Sequence, residues 1–209
     1  MSTQPVIRIL TIDDHPLLRD GVSAVIEAES DMSVVAEASE GNLGVEAYRQ
    51  HRPDVTLVDL RLPDISGVEV MRKIRSEFPS ARFIVLTTYS GDVQALDALK
   101  AGASAYLLKS MLRTELLETI RLVHMGKRRI PPEIAAEIAE HATDDALSER
   151  ELQVLRAVGS GYSNKQIATR LAISESTVKS HMKSILPKLN ARDRTHAVMI
   201  AVKRGMLDV

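Results

Sequence analysis

The sequence predicts an α/β domain with a doubly wound, five-stranded parallel sheet, followed by a second, all-α domain. Five short apolar runs alternate with helix-period segments up to about residue 127. From residue 147 onward only helical patterns occur. Charge divides in the same way: residues 1–145 carry 16 Lys and Arg against 23 Asp and Glu, a net charge of −7, and residues 146–209 carry 11 against 5, a net charge of +6. The basic second part indicates an anionic partner.

The five predicted strands are short and rich in Val, Ile and Leu, as expected where helices cover both faces of a parallel sheet. They are residues 6–12, 32–36, 55–59, 82–87 and 103–108. The helix-period segments that follow them are residues 16–28, 43–51, 68–78, 93–101 and 111–125. We therefore assign residues 1–127 to the first domain.

Residues 128–146 are predicted to be a linker, with a Pro-Pro pair, a short helix at about residues 133–141 and a polar exit. The second domain comprises residues 147–209. It contains three predicted helix N-termini with the same capping pattern, in which a serine N-cap lies between two apolar residues. The serines are Ser148, Ser163 and Ser174, and the apolar pairs are Leu147/Leu152, Tyr162/Ile167 and Ile173/Val178. The two helices that begin after Ser163 and Ser174 have helix-turn-helix spacing. A fourth helix is predicted over residues 194–203.

The composition excludes several classes of function. The chain has no cysteine, so it has no disulfide, thiol nucleophile or cysteine-ligated metal. No apolar run approaches the roughly 18–20 residues that span a bilayer. Charged residues also interrupt the N-terminal segment where a signal peptide would need an apolar core. We therefore expect a cytoplasmic protein with no membrane partner.

Acidic side chains follow two of the predicted strands. Asp13 and Asp14 come directly after the first strand, in IDDHP, and Asp59 ends the third, in VTLVDLRLPDISG. If the strand order is 2-1-3-4-5, strands 1 and 3 are neighbours and the three carboxylates converge at the edge where such sheets bind ligands. Three like charges this close need a proton or a hard cation, and Mg²⁺ suits oxygen ligands.

Two further polar side chains end the fourth and fifth strands. Thr87 closes the fourth, in IVLTT, and Lys109 follows the fifth, in AGASAYLLK. A cation, a hydroxyl and an ammonium around one aspartate form a receptor for a phosphoryl group carried by that aspartate.

These four segments, in their order and spacing, resemble the signature blocks of a response-regulator receiver domain over residues 6–126. The resemblance implies a flavodoxin-like fold in which Asp59 accepts a phosphoryl group from a sensor histidine kinase. It implies that Mg²⁺ is bound by Asp14, Asp59 and the backbone carbonyl of Arg61, and by Asp13 through water. It also implies that Lys109 pairs with the phosphoryl oxygens, and that Thr87 and Tyr106 act as the switch, the hydroxyl moving to the phosphoryl group and the aromatic ring following inward.

Two other interpretations of Asp59 are weaker. A single Asp at a strand end usually caps the next turn, but the other acids, the threonine and the lysine at matching edge positions argue against this. Haloacid-dehalogenase-like phosphatases also use a strand-end Asp nucleophile, but Arg61 stands where their general acid would be. A phosphoryl-aspartate would therefore persist, and we predict that the chain is not a turnover enzyme. His15 is expected to end its loop ahead of Pro16 rather than to bind metal.

The helix predicted from residue 175 presents a polar face opposite its apolar stripe. Lys179, Ser180 and Lys183 lie together on that face and would point at a groove of DNA. The stretch resembles the LuxR-type helix-turn-helix, and together with the receiver it resembles the NarL/FixJ class of response regulators. The resemblance implies that Lys179, Ser180 and Lys183 face base edges, and that Ser163, Asn164, Lys165 and Thr177 reach phosphates.

Two residues depart from the family pattern. Pro187, inside the recognition helix, removes a backbone hydrogen bond and costs about 3 kcal/mol if unrelieved, so we expect a bend after Lys183. Asn190 replaces the usual glycine at the helix end, where it tolerates the left-handed conformation.

The sequence as a whole predicts a phosphorylation-dependent transcriptional regulator that binds double-stranded DNA and forms a homodimer when phosphorylated or DNA-bound. The strongest alternative is a transcription regulator that works without phosphorylation, with the first domain serving only for dimerisation or ligand binding. The intact acidic and cationic positions at the sheet edge argue against it.

Overall fold

A computed structural model of the chain describes residues 6–88, 91–141 and 146–207. The polar exit of the predicted linker, residues 142–145, lies outside the described residues. The chain folds into two compact units, the first within residues 1–89 and 95–135 and the second within residues 90–94 and 136–209. None of the helices in the described ranges is long and apolar enough to cross a membrane.

The sheet has the predicted five parallel strands in the order β2-β1-β3-β4-β5. The strands are β1 (Ile7–Ile12), β2 (Met32–Ala38), β3 (Val55–Asp59), β4 (Phe83–Thr87) and β5 (Ala103–Leu108). Every residue of β3 and β4 is buried. This explains why the central strands read as continuous apolar runs rather than as alternating ones.

Five helices connect or follow these strands: α1 (Pro16–Glu27), α2 (Gly41–His51), α3 (Gly67–Glu77), α4 (Asp92–Ala101) and α5 (Leu112–His124). On one face of the sheet, Ile9, Leu57 and Ile84 form a continuous core with apolar residues of α1 and α5. A single 3₁₀ turn, Lys109–Met111, joins β5 to α5. The predicted strands and helices of this unit are therefore confirmed, with ends that differ by only a few residues.

The start of the predicted linker forms a single bridge to the edge of the sheet, which the sequence did not indicate. After α5 the chain reverses at Gly126, whose φ of +79° is left-handed. Arg129 then forms a parallel bridge with Ala105 at the edge of β5. Its N–H donates to the carbonyl of Ser104, and its carbonyl accepts from the N–H of Tyr106. The open edge of β5 is thus partly covered by the chain that leaves the first unit.

The helices after this bridge are α6 (Pro132–Glu140), α7 (Glu149–Gly159), α8 (Asn164–Leu171), α9 (Glu175–Lys188) and α10 (Arg194–Lys203). The three predicted serine N-caps are confirmed, because each serine oxygen accepts a hydrogen bond from the backbone N–H three residues later. The first two are full capping boxes, completed by Glu151 and Gln166. Apolar residues of α7, α8, α9 and α10 form one shared core.

The two residues that depart from the family pattern lie at the end of α9 and just beyond it. The helix is continuous through Pro187, which lies one residue before its end. The bend predicted after Lys183 stays a prediction. Asn190 adopts the left-handed conformation, with φ of +49°, as expected for the residue that ends this helix.

A buried carboxylate ties the end of α9 to the start of α7. Glu151 accepts hydrogen bonds from Ser184 Oγ at 2.7 Å, Lys188 Nζ at 2.9 Å and the backbone N–H of Ser148 at 2.7 Å. Burial alone raises the pKa of Glu151, but these hydrogen bonds outweigh it and bring the pKa down to about 2. A carboxyl group with a folded-state pKa below its unfolded value of 4.5 stabilises the fold while it is ionised.

We expect Glu151→Gln to lower the free energy of unfolding at pH 7 by about 1–3 kcal/mol, because a charge-assisted pair is lost. The stabilisation is fully present above about pH 4.5 and disappears as pH falls towards 2, so the difference from wild type should shrink over that range. Urea unfolding at pH 7 and at pH 3.5 measures both values. Glu149→Gln, which changes an exposed neighbour in the same helical turn, is the control. A difference that did not depend on pH would contradict the role assigned to the Glu151 charge.

Candidate functional sites

The parallel strands bring the predicted acids and the lysine to one edge of the sheet. Asp13 and Asp14 follow β1, Asp59 ends β3, and Lys109 follows β5. Because β1 and β3 are hydrogen-bonded neighbours, ligand atoms of Asp13, Asp14, His15 and Asp59 all lie within 4.8 Å of one another. The convergence of the three carboxylates is confirmed.

The Lys109 ammonium lies between two of these acids. Its Nζ is 2.7 Å from Asp13 Oδ2 and 2.6 Å from Asp59 Oδ2, and all three side chains are at most 10 % exposed. The second oxygen of Asp59, Oδ1, accepts a hydrogen bond from the backbone N–H of Arg61 at 3.1 Å. Both oxygens of Asp59 are thus held, and its side chain has a fixed direction.

Burial and charge act in opposite directions on this pair. Burial raises the pKa of Asp59, although Lys109 and the Arg61 amide lower it in part, and the net shift is upward. Burial lowers the pKa of Lys109, but its bonds to Asp13 and Asp59 outweigh burial, and the net shift is upward. Lys109 therefore stays an ammonium. A further positive charge beside Asp59 would favour the carboxylate form that a nucleophile needs.

The site carries more negative charge than Lys109 balances. Three carboxylates face one ammonium, and the exposed imidazole of His15 touches two of them, with Nδ1 2.7 Å from Asp14 Oδ1 and 3.2 Å from Asp13 Oδ1. The three carboxylates are oxygen donors with excess negative charge, and such a set fits a hard divalent cation. His15 ends the loop as predicted, as the N-cap of α1 with Pro16 after it, but its ring nitrogen also lies within the acidic cluster, an arrangement that the sequence analysis considered and disfavoured.

The sequence also missed Arg19, one turn into α1. Its guanidinium donates to the backbone carbonyl of Asp13 and lies 3.8 Å from Glu37 of β2. It therefore helps to fix the backbone that carries Asp13 and Asp14. Its position four residues after the N-cap His15 was the only sequence signal, and this spacing does not by itself specify a contact.

The two predicted switch residues lie on the neighbouring strands. Thr87, at the end of β4, and Tyr106, in β5, are each 1 % exposed. The ring of Tyr106 is thus in the inward position. A cavity of about 580 Å³ opens in front of Asp59 and is lined by side chains from the strand-end loops and α1: His15, Leu17, Leu18, Asp59, Arg61, Thr88 and Lys109.

In the second unit, the residues predicted to meet DNA divide between α8 and α9. Lys179, Ser180 and Lys183 are exposed on one face of α9, and the opposite face buries Val178 and Ile185. Ser163 is the N-cap of α8, followed by the half-buried Asn164 and the exposed Lys165. The half-buried Thr177 has its hydroxyl 2.8 Å from that of Ser174, in the first turn of α9. The structure thus gathers the predicted base-contacting residues on one exposed helical face.

Each of the two units matches a known protein family. Residues 9–121 match the response regulator receiver domain, and residues 145–201 match the luxR family of bacterial regulatory proteins. The chain therefore belongs to the response regulators, and within them to the transcriptional regulators with a LuxR-type DNA-binding domain.

Individual relatives span the whole chain. It is 38 % identical to the transcriptional regulatory protein YxjL of Bacillus subtilis, over 96 % of this chain and 97 % of that protein. It is 36 % identical to the nitrate/nitrite response regulator protein homolog of Haemophilus influenzae, over 94 % and 97 % of the two chains. Among solved structures, the response regulator ChrA of a heme-sensing two-component system is 34 % identical, with a TM-score of 0.56 over 97 % of this chain and 99 % of ChrA. Salmonella RcsB shares the fold, with a TM-score of 0.71 at 24 % identity over 94 % and 98 % of the two chains.

Proposed function

We propose that Asp59 accepts a phosphoryl group from a sensor histidine kinase and that its phosphorylation controls DNA binding. The observation that carries this proposal is the geometry of Asp59, a buried strand-end carboxylate with one oxygen on Lys109 and the other on the Arg61 amide. An oxygen of Asp59 forms the new bond to phosphorus as the bond from phosphorus to the histidine nitrogen of the kinase breaks. The ammonium of Lys109 then pairs with the phosphoryl oxygens.

We propose Mg²⁺ as the cofactor, bound by Asp14, Asp59 and the backbone carbonyl of Arg61, with Asp13 acting through water. When bound, Mg²⁺ supplies positive charge to the phosphoryl oxygens during transfer. Thr87 and Tyr106 are the proposed switch pair, and no general acid is assigned for rapid hydrolysis. We accordingly propose a signalling role rather than a turnover enzyme.

We propose residues 1–127 as the receiver, 128–146 as the linker and 147–209 as the DNA-binding domain. In the last of these, base edges are the proposed targets of Lys179, Ser180 and Lys183. Phosphates are the proposed targets of Ser163, Asn164, Lys165 and Thr177. Because the proposed ligand is double-stranded DNA, we expect the protein to act in the cytoplasm.

We expect phosphorylation to act largely through dimerisation. Moving a two-state equilibrium from 1:99 to 99:1 takes about 5.5 kcal/mol, whereas one hydrogen bond from Thr87 contributes about 1 kcal/mol. Protein treated with acetyl phosphate and Mg²⁺ should therefore form dimers, measured by light scattering with and without DNA. Untreated protein is the control. Phosphorylated protein that stayed monomeric in both conditions would show that the free energy comes from elsewhere.

A further inference from the structure

The loop that joins β3 to α3, residues 60–66, carries a second acid, Asp64, to which the proposed phosphotransfer assigns no role. Both Asp64 oxygens are engaged by the first turn of α2. Oδ1 accepts from the backbone N–H of Gly41 at 2.7 Å, and Oδ2 accepts from the backbone N–H and the side-chain amide of Asn42, each at 2.8 Å. A loop carboxylate thus serves as the cap of a helix that begins about twenty residues earlier in the chain.

Helix α2 has no side-chain N-cap of its own, so the Asp64 carboxylate makes the main capping contact at its N-terminus. Glu40, the N-cap residue of α2, makes no side-chain hydrogen bond to the helix. The first N–H groups of a helix lack partners within it, and a carboxylate both accepts from them and interacts favourably with the helix dipole. Burial alone raises the pKa of Asp64, but the N–H groups of Asn42 and Gly41 outweigh it and lower the pKa to about 2. Asp64 is therefore ionised under all ordinary conditions.

Close packing holds the loop against α2 beside this contact. A Cβ atom at Gly41 would lie 2.5 Å from Ile65 and 2.8 Å from Val70, so only glycine permits this approach. At the other end of the loop, the N–H of Gly67 donates to the carbonyl of Leu60 at 3.0 Å. A Cβ atom at Gly67 would lie 2.0 Å from the carbonyl oxygen of Asp59. The loop is thus pinned at its tip by Asp64 and at its base by a glycine contact with Asp59.

Between these two anchors lies Arg61, whose amide holds Asp59 Oδ1 and whose carbonyl is a proposed metal ligand. We propose that Asp64 is a positioning residue for the phosphorylation site, holding the 60–66 loop on α2 so that Arg61 and Asp59 keep a geometry ready to bind metal. This inference rests on the proposed function, because it assumes that the metal binds at Asp59. Groups that orient a metal ligand typically change metal affinity by about 10–100-fold when removed. Asp64 acts one step further out, through the backbone, so we expect a smaller effect.

The test compares Asp64→Ala with Asp54→Ala. Asp54 precedes the same strand at its opposite end, where its carboxylate accepts the N–H of Arg8 at 2.9 Å. Asp54 and Asp64 lie just before and just after β3, and each carboxylate accepts a hydrogen bond from a backbone amide. An effect that came from loss of stability alone would therefore appear in both variants. Mn²⁺ binding to the full chain, measured by the electron paramagnetic resonance signal of the free ion, gives a readout that stability does not determine. Competition with Mg²⁺ shows whether both ions use one site.

We expect Asp64→Ala to raise the Kd for Mn²⁺ about 3- to 10-fold and Asp54→Ala to change it less than about 2-fold. Asp64→Asn, which keeps one acceptor oxygen for the amides of α2, should recover most of the affinity and guards against a misfolded alanine variant. Equal Kd values for Asp64→Ala and wild type, or equal losses in the two alanine variants, would overturn the positioning role.

Failure of the proposed function would give a different pattern of Mn²⁺ binding from failure of this inference. Wild-type protein that bound no Mn²⁺, or bound it equally well after Asp59→Asn, would overturn the metal site at Asp59 and this inference with it. Loss of binding in Asp59→Asn together with unchanged binding in Asp64→Ala would overturn the inference alone.

Discussion

Asp59→Asn will abolish phosphorylation of the protein. Incubation of wild type with acetyl phosphate and Mg²⁺ should add one phosphoryl group, read by intact mass. The variant should add none, because the neutral amide oxygen is a poor nucleophile. Asn keeps the shape of the side chain, and its single oxygen can still accept from one of the two donors, Lys109 or the Arg61 amide, so the fold should be retained.

Two further variants sharpen this prediction. Asp14→Ala should remove most of the labelling together with its dependence on Mg²⁺. Asp20→Asn, an exposed position on α1, should label like wild type and controls for the loss of one negative charge. Undiminished labelling of Asp59→Asn would mean that another residue is the phosphoacceptor, and the roles proposed for Lys109 and Thr87 would lose their basis.

Lys183→Ala will weaken binding to the cognate DNA site by about 1–3 kcal/mol, or roughly 5- to 150-fold, and will relax the preference at one base pair. Lys183 is exposed on α9, one turn beyond Lys179, on the face opposite the buried stripe. A lysine that reaches a base edge contributes both its charge and a sequence-dependent hydrogen bond. Binding to a scrambled duplex should therefore fall less than binding to the cognate duplex.

Lys165→Ala is the matched control for Lys183→Ala. Lys165 is also a single exposed positive charge, near the start of α8, where we expect it to contact phosphate only. Both variants should lower the slope of log affinity against log salt by about 1, but Lys165→Ala should weaken all sequences alike. Binding curves on two duplexes at two salt concentrations separate the cases. Equal proportional losses on both duplexes for Lys183→Ala would show that α9 does not recognise bases at this position.

Features encoded by neighbouring residues were predictable from the sequence. The strands of the sheet were recognised because they are short, mostly apolar runs without alternation, the pattern of strands covered on both faces. The starts of α7, α8 and α9 were located by Ser148, Ser163 and Ser174, since an N-cap bonds an amide only three residues away. The convergence of Asp13, Asp14 and Asp59 followed once a parallel sheet was assumed, because carboxyl ends of adjacent strands share one edge.

Contacts between distant residues were not predictable from local patterns. The start of α2 at Gly41, two residues ahead of the predicted position, depends on Asp64, a partner 23 residues away. The bridge between Arg129 and β5 joins a residue of the predicted linker to a strand edge. The bond from Lys188 to Glu151 crosses 37 residues. In each case no local pattern specifies which distant residue is the partner.

The sequence by itself determined the order and type of the elements and the chemical groups at the edge of the sheet, because hydrophobic periodicity and helix caps act over a few residues. Only the tertiary structure decided which partner each of these side chains contacts. Lys109 lies between Asp13 and Asp59, His15 contacts Asp14, and Asp64 bonds to the first turn of α2. A side chain's hydrogen-bonding partner depends on how the chain brings remote segments together. That choice is made by the packing of the whole unit rather than by any short stretch of sequence.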